Sequence, residues 1–286
     1  MTQGPHGDAV SKKPTTLADL GPRLASGLVM IALALAALMA GGPVFVIFWL
    51  IAGLAVFWEW QRMIGGQRLP LRLSVGAFAL VAIAVLAGNA QSDAALLTVL
   101  VGAIILAAVA EPGRRIWAAG GMLYAGALVL SVVVLRMSIL GGFEAILWLF
   151  AIVWGTDVMA YFGGRLIGGP KLWRRVSPSK TWAGFLVGIT SGALLGLAVL
   201  SFYAVQIYPV PLLLLGLLVG ALAQGGDLFE SSLKRHFDVK DSSHLIPGHG
   251  GFMDRLDGFI AASAFAAAFG AMKAGAAAAA HGLFIW

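Results

Sequence analysis

Residues 24–58 read LASGLVMIALALAALMAGGPVFVIFWLIAGLAVFW, without one charged side chain. A helix needs about 20 apolar residues to cross a bilayer, so this run is too long for one crossing. Gly41-Gly42-Pro43 is its natural break, because glycine and proline punctuate helices. The reading is therefore two spanning helices, at 24–40 and 43–58. Working outward, further apolar blocks occupy 73–89, 94–110, 116–135 and 144–163. The charge-free run from Thr181 to Gly226 is divided by Tyr208-Pro209-Val210-Pro211 into helices at 182–203 and 209–226. A last block begins near Gly258. The fold class expected is an all-α, polytopic integral membrane protein of about nine transmembrane helices. Three regions are expected: a disordered polar tail over 1–23, N-terminal transmembrane helices over 24–140, and a C-terminal transmembrane catalytic region over 141–286.

Composition agrees. Of 286 residues, 60% are hydrophobic and 11% charged, and mean hydropathy is +0.92. A soluble domain carries about 25% charged residues, so this chain lacks the polar surface a soluble protein needs. The net charge of +6 does not require a nucleic-acid partner, and none is expected. With nine helices, seventeen of the nineteen lysines and arginines fall on one side of the membrane and only Arg136 in a loop on the other, with Lys273 in or after the last helix. The positive-inside rule then places the N-terminus and both long loops in the cytoplasm of a bacterial inner membrane, with no cleaved signal peptide expected. The absence of cysteine excludes disulfides and thiolate metal sites, and the five histidines are scattered.

Two segments on that side break the apolar pattern. In Trp154-Gly-Thr-Asp-Val-Met-Ala-Tyr-Phe-Gly-Gly-Arg165, Asp157 sits inside a helix that otherwise belongs in lipid. Ionisable groups there are costly and usually functional. Tyr161 shares its face one turn on. A structural ion pair of Asp157 with Arg165 or Lys180 is the alternative. Ser177-Pro178-Ser179-Lys180-Thr181 presents hydroxyls and an ammonium at the start of the next helix, where phosphates bind readily; a plain cap with a lipid-facing lysine is the alternative there. In the second segment Asp227, Glu230 and Lys234 share one helical face. Asp254 and Asp257 form another i, i+3 pair, at the start of the last helix. Two acidic pairs at one depth suit hard cations, which prefer carboxylate oxygens. Between them lie Lys240-Asp241 and Pro247-Gly-His-Gly-Gly251, whose small residues let backbone N–H groups approach an anion. No Walker A pattern, Rossmann fingerprint or Ser-His-Asp set is present.

The stretch Ser231-x-Leu-Lys-Arg235, then Lys240-Asp241, then Ile246-Pro-Gly-His-Gly-Gly-Phe-Met-Asp-Arg-Leu-Asp257 resembles the phosphatidate cytidylyltransferase (CDP-diglyceride synthase) family. Gly226-Asp-Leu-x-Glu-Ser231, Asp157-x-x-Ala-Tyr161 and Ser177-Pro-x-Lys-Thr181 resemble it too. The N-terminal half matches only in hydrophobic character. Ala183 departs from the acidic residue expected there in many relatives, which puts a carboxylate role at that position in doubt. The resemblance implies a nucleotidyltransferase condensing CTP with phosphatidate to give CDP-diacylglycerol and pyrophosphate, in a homodimer within the bilayer. The expected cofactor is Mg2+, alone or with a second cation. Its expected ligands are Asp227 and Asp254, within about 5 Å of one ion, with Asp257 and Glu230 next. Lys234, Arg235, Lys240 and Arg255 would hold triphosphate or lipid phosphate. His249, Gly250 and Gly251 would line pyrophosphate. Asp157, Tyr161, Ser177, Lys180, Thr181 and Asp241 complete the expected substrate site.

Two rival classes fit less well. A transporter should place polar groups along a path on both sides of the membrane. A CDP-alcohol phosphotransferase should carry Asp-Gly-x-x-Ala-Arg, whereas Asp257-Gly258 is followed by Phe-Ile-Ala-Ala.

Overall fold

A computed structural model describes residues 17–203, 208–246 and 250–286. The nine expected helices are all present: α1 (Leu17–Ala40), α2 (Gly42–Ile64), α3 (Leu69–Gly88), α4 (Ser92–Val109), α5 (Arg115–Arg136), α6 (Gly142–Leu166), α7 (Trp182–Tyr203), α8 (Pro209–His236) and α9 (Met253–Ala274). Among the described residues, α2 to α9 are long and apolar enough to cross a membrane, and α1 contributes a shorter apolar stretch, Ala25–Ala40. The chain is an all-α, multi-pass membrane protein. Gly41 and Gly42 take φ of 61° and 48°, so the α1–α2 break uses backbone that only glycine adopts cheaply.

Several boundaries move. Residues 1–16 of the expected tail lie outside the described residues, but α1 begins at Leu17, where Leu17, Leu20 and Leu24 continue a helical spacing. α2 runs past Glu59 to Ile64, and α3 starts before Arg72; both charged side chains are fully buried. A charge ends a helix in sequence reading only because it is assumed to need water; Glu59 instead finds donors at Phe252 and Met253, and Arg72 donates from Nη2 to the Gly65 carbonyl. α8 continues to His236 and α9 starts at Met253, so the acidic residues sit on continuous helices rather than in loops. The 164–181 connection contains an antiparallel hairpin, β1 (Lys171–Trp173) with β2 (Ser177–Thr181), pairing Lys171 with Thr181 and Trp173 with Ser177. The Ala-rich end, which carried little information, folds back as a short helix, α10 (Ala279–Phe284).

Two glycine contacts position the site. Along α7, Gly184, Gly188, Gly192 and Gly196 recur every four residues and face α6. A Cβ at Gly184 would come 2.7 Å from the Ala160 carbonyl, one at Gly188 2.7 Å from that of Thr156, and one at Gly192 2.7 Å from that of Ile152. With no side chains between them, the two backbones touch, and close packing of this kind is one of the main forces that associate helices in an apolar solvent. Where α8 crosses α9, a Cβ on Gly226 would meet the Asp257 carbonyl at 2.5 Å, and one on Gly258 the Ala223 carbonyl at 2.9 Å. Asp227 and Asp257 each lie beside one of these glycines, so the crossing brings them to the same level.

Candidate active site

The four helices α6, α7, α8 and α9 converge with the hairpin on a cavity of about 1020 Å³. Thr181 caps α7: its Oγ1 accepts the Gly184 N–H at 3.1 Å, the usual N-cap arrangement. The preceding residue, Lys180, is thereby fixed at the mouth of α7. Its Nζ donates to Gln224 Oε1 at 2.9 Å and pairs with Asp227 Oδ2 at 2.7 Å. Gln224 in turn donates from Nε2 to Asp157 Oδ1 at 3.2 Å. One relay thus ties α6, β2 and α8 together, and Asp157, Lys180, Gln224 and Asp227 all face the cavity.

A second relay joins α8 to α9. Lys234 Nζ pairs with Glu230 Oε2 at 2.7 Å and with Asp254 Oδ1 at 2.5 Å. The other oxygen of Asp254 accepts Ser242 N–H at 3.0 Å, Ser242 O–H at 2.8 Å and Gly251 N–H at 2.8 Å. Asp254 is therefore well supplied with donors and ties Ser242 and Gly251 to the start of α9, while Asp227 keeps a third of its side chain open. Asp257 faces the cavity one turn further along α9, within electrostatic reach of Asp227 and Asp157.

The Asp257 carboxylate also accepts its neighbour's Gly258 N–H at 2.7 Å. Among the described residues no three His, Asp or Glu side chains are gathered as a ready cation cage. Asp227 pairs with Lys180, and Glu230 and Asp254 pair with Lys234, pairings that offset the cost of burying charge.

The sequence comparisons settle where this arrangement belongs. The cytidylyltransferase family model matches residues 22–272. The chain belongs to the cytidylyltransferase family. It is 39% identical over 262 residues to a protein named phosphatidate cytidylyltransferase from Brucella abortus biovar 1, covering 90% of this chain and 96% of that one. A protein of the same name from Brucella melitensis biotype 1 matches to the same extent. One from Staphylococcus epidermidis is 46% identical over 119 residues, 42% of this chain and 46% of its own length.

In this cytidylyltransferase most of the residues singled out by sequence do converge. Asp157, Tyr161, Lys180, Thr181, Asp227, Asp254, Arg255 and Asp257 all contribute to the cavity wall. The ion pair of Asp157 with Arg165 or Lys180 is not seen among the described residues. Arg165 donates to Tyr161 Oη at 3.2 Å instead, and Lys180 turns to Asp227. Glu230 and Lys234 stand behind the wall. Ser177 lies at the far end of β2 against Trp173, and it is Ser179 that reaches the cavity. Arg235 is exposed, its Nη1 donating to the Val239 carbonyl at 3.5 Å, and Lys240 and Asp241 are exposed in the loop. Gly250, with φ of 80°, and Gly251 form the turn under Asp254. His249 lies outside the described residues.

Two residues of the cytidylyltransferase site escaped the sequence reading. Gln224 sits one turn before Asp227, a polar side chain in an apolar run, which is a readable signal. Glu59, fully buried on α2, reaches residues 242–243 and 252–253 from the other half of the chain; only its place at the end of a long charge-free run hinted at it.

Proposed function

We propose that this protein transfers the cytidylyl group of CTP to phosphatidate, releasing pyrophosphate and forming CDP-diacylglycerol. The observation that carries the reading is the two-sided cavity. One wall presents Asp157, Lys180, Asp227, Asp257 and Arg255, and the other is apolar, formed by α1 and α2 through residues such as Ile31, Leu33 and Ile51. A ligand with a phosphate head and acyl tails matches both walls, and tails left in apolar surroundings avoid exposure to water.

In the reaction a phosphatidate oxygen attacks the α-phosphorus of CTP. A new P–O bond forms, and the bond from that phosphorus to the α–β bridging oxygen breaks, its electron pair leaving with pyrophosphate. The attacking oxygen is already anionic, so no strong base is needed; the difficulty is bringing two anions together. Lys180 lines the polar wall and can turn from Asp227 to a phosphate oxygen. Arg255, on the same wall, supplies a second fixed positive charge. Thr181 and Gln224 hold Lys180 in place, and the apolar wall excludes water from the head group.

Asp227 and Asp257 fit a hard divalent cation: they are oxygen donors on crossing helices, open to the cavity, and crowded enough to repel each other. Asp157 adjoins them, while Asp254 and Glu230 are engaged with Lys234. Bound there, Mg2+ would neutralise triphosphate charge as it builds during displacement.

Purified protein in detergent, given CTP, phosphatidate and magnesium, is expected to form CDP-diacylglycerol; no product under these conditions overturns the reading. The orientation proposed is an inner-membrane protein with its N-terminus and site in the cytoplasm, supported by the charge asymmetry of the loops. A reporter fused after Arg175 should read cytoplasmic and one at Trp286 periplasmic, and the opposite result at either point refutes it. The homodimer implied by the resemblance belongs to this proposal as well, with cross-linking in native membranes as its check.

A further inference from the structure

Glu59 lies at the end of α2, with none of its surface exposed. Its two carboxylate oxygens face four donors, all from residues 242–243 and 252–253 on the other side of the sequence. Oε1 takes the Ser243 hydroxyl at 2.6 Å and the Phe252 N–H at 2.9 Å. Oε2 takes the Met253 N–H at 2.7 Å and lies 3.0 Å from the Ser242 hydroxyl. The single hydroxyl proton of Ser242 is shared between Glu59 and Asp254, while its N–H goes to Asp254 alone, which holds Lys234. Gly251 is confined between the two: a Cβ there would strike both Ser242 Oγ and Glu59 Oε1.

We infer that Glu59 is a positioning residue, a latch by which the N-terminal helices hold residues 242–243 and 252–253, and through them Asp254 and Lys234, in register with the cavity. The inference rests on the proposed cytidylyl transfer for its kinetic consequence, but not for its structural one. A carboxylate is the only side chain that suits the position. Each oxygen faces one backbone N–H, and a backbone N–H cannot rotate away. Glutamine, in either orientation of its amide, would set its NH2 against one of these donors and leave it unpaired in a buried place. Aspartate is one methylene short.

The test uses the full-length protein in detergent. Amide hydrogen exchange should show Phe252 and Met253 protected in the unaltered chain. Glu59→Gln should speed exchange there by about tenfold or more, the order expected when a charge-assisted hydrogen bond is lost, with helices α3 to α5 unaffected. Kinetically, KM for CTP should rise by about tenfold, since Arg255, on α9 just after the held Phe252 and Met253, lines the polar wall, while KM for phosphatidate stays within about twofold. A role in folding alone would lower kcat by reducing the active fraction and leave both KM values unchanged; that result overturns the inference. Should Glu59→Gln fail to accumulate, Ser243→Ala removes one donor and spares the carboxylate. It should speed exchange at Phe252 by several-fold, and unchanged exchange in that variant also refutes the latch. If the unaltered protein makes no CDP-diacylglycerol, the proposed function fails. The exchange result then still decides whether Glu59 holds these residues.

Discussion

Asp227→Asn is expected to abolish turnover, lowering kcat/KM by at least about 1,000-fold, or roughly 4 kcal/mol of transition-state stabilisation. The substitution is nearly isosteric. It can still accept from Ser231, whose hydroxyl lies 3.3 Å from Oδ1, and it leaves the Gly226 crossing intact, so protein should reach the membrane in normal amounts. What it removes is one negative charge on the polar wall. Two consequences follow. Lys180 loses the partner 2.7 Å away, and the crossing of α8 with α9 loses one of the two open carboxylates suited to a cation. Raising magnesium should therefore recover little activity, because the missing element is a ligand and not occupancy. Product formation measured at saturating CTP, with protein quantified in the same membranes, is the check. Activity within tenfold of the unaltered protein would show that Asp227 serves only the relay to Lys180.

Asp157→Asn is the second large effect, expected to cost at least about 100-fold, within the range seen when one preorganised electrostatic group is removed from a site. Asparagine can keep an oxygen toward Gln224 Nε2, at 3.2 Å in the present arrangement, so the relay of hydrogen bonds survives and the variant isolates charge. Asp157 lies beside two positive groups, Lys180 and Arg255, within electrostatic reach of both. Its loss should let these cations shift. Near-normal activity would mean that Asp157 is a structural partner of Gln224 and no more.

How far sequence reading carries can be judged from these same residues. The helix count was legible because lipid demands long apolar runs and interrupts them only at cost, so Gly41-Gly42-Pro43 and Tyr208-Pro209 were readable breaks. The charged segments were legible for the complementary reason. Asp157 in an apolar helix and Asp227, Asp254 and Asp257 at helix ends stand out against the background that hides a functional acid in a soluble protein. What could not be read was pairing across the chain. Glu59 looked like the polar end of α2 because its four donors lie more than 180 residues away. Asp254 looked like a free ligand because nothing in its spacing reveals that Ser242 and Gly251 already donate to it. The hairpin at 171–181 was missed since its register depends on Lys171 meeting Thr181, with no alternating apolar pattern to announce it.

The glycines of α7 carry a consequence for how this sequence can vary. At Gly184, Gly188 and Gly192 a side chain would run into the main chain of α6, and main chain cannot repack to make room. On the opposite face of the same helix, Leu186 and Leu194 stand about half exposed to the lipid and can be exchanged for any apolar residue of suitable length. A single helix thus carries one edge with almost no mutational freedom and one edge with a great deal, only two residues apart. Drift on the lipid-facing edge leaves the spacing between Asp157 and Lys180 untouched. The chain can adapt to bilayers of different composition without disturbing the contact between α6 and α7.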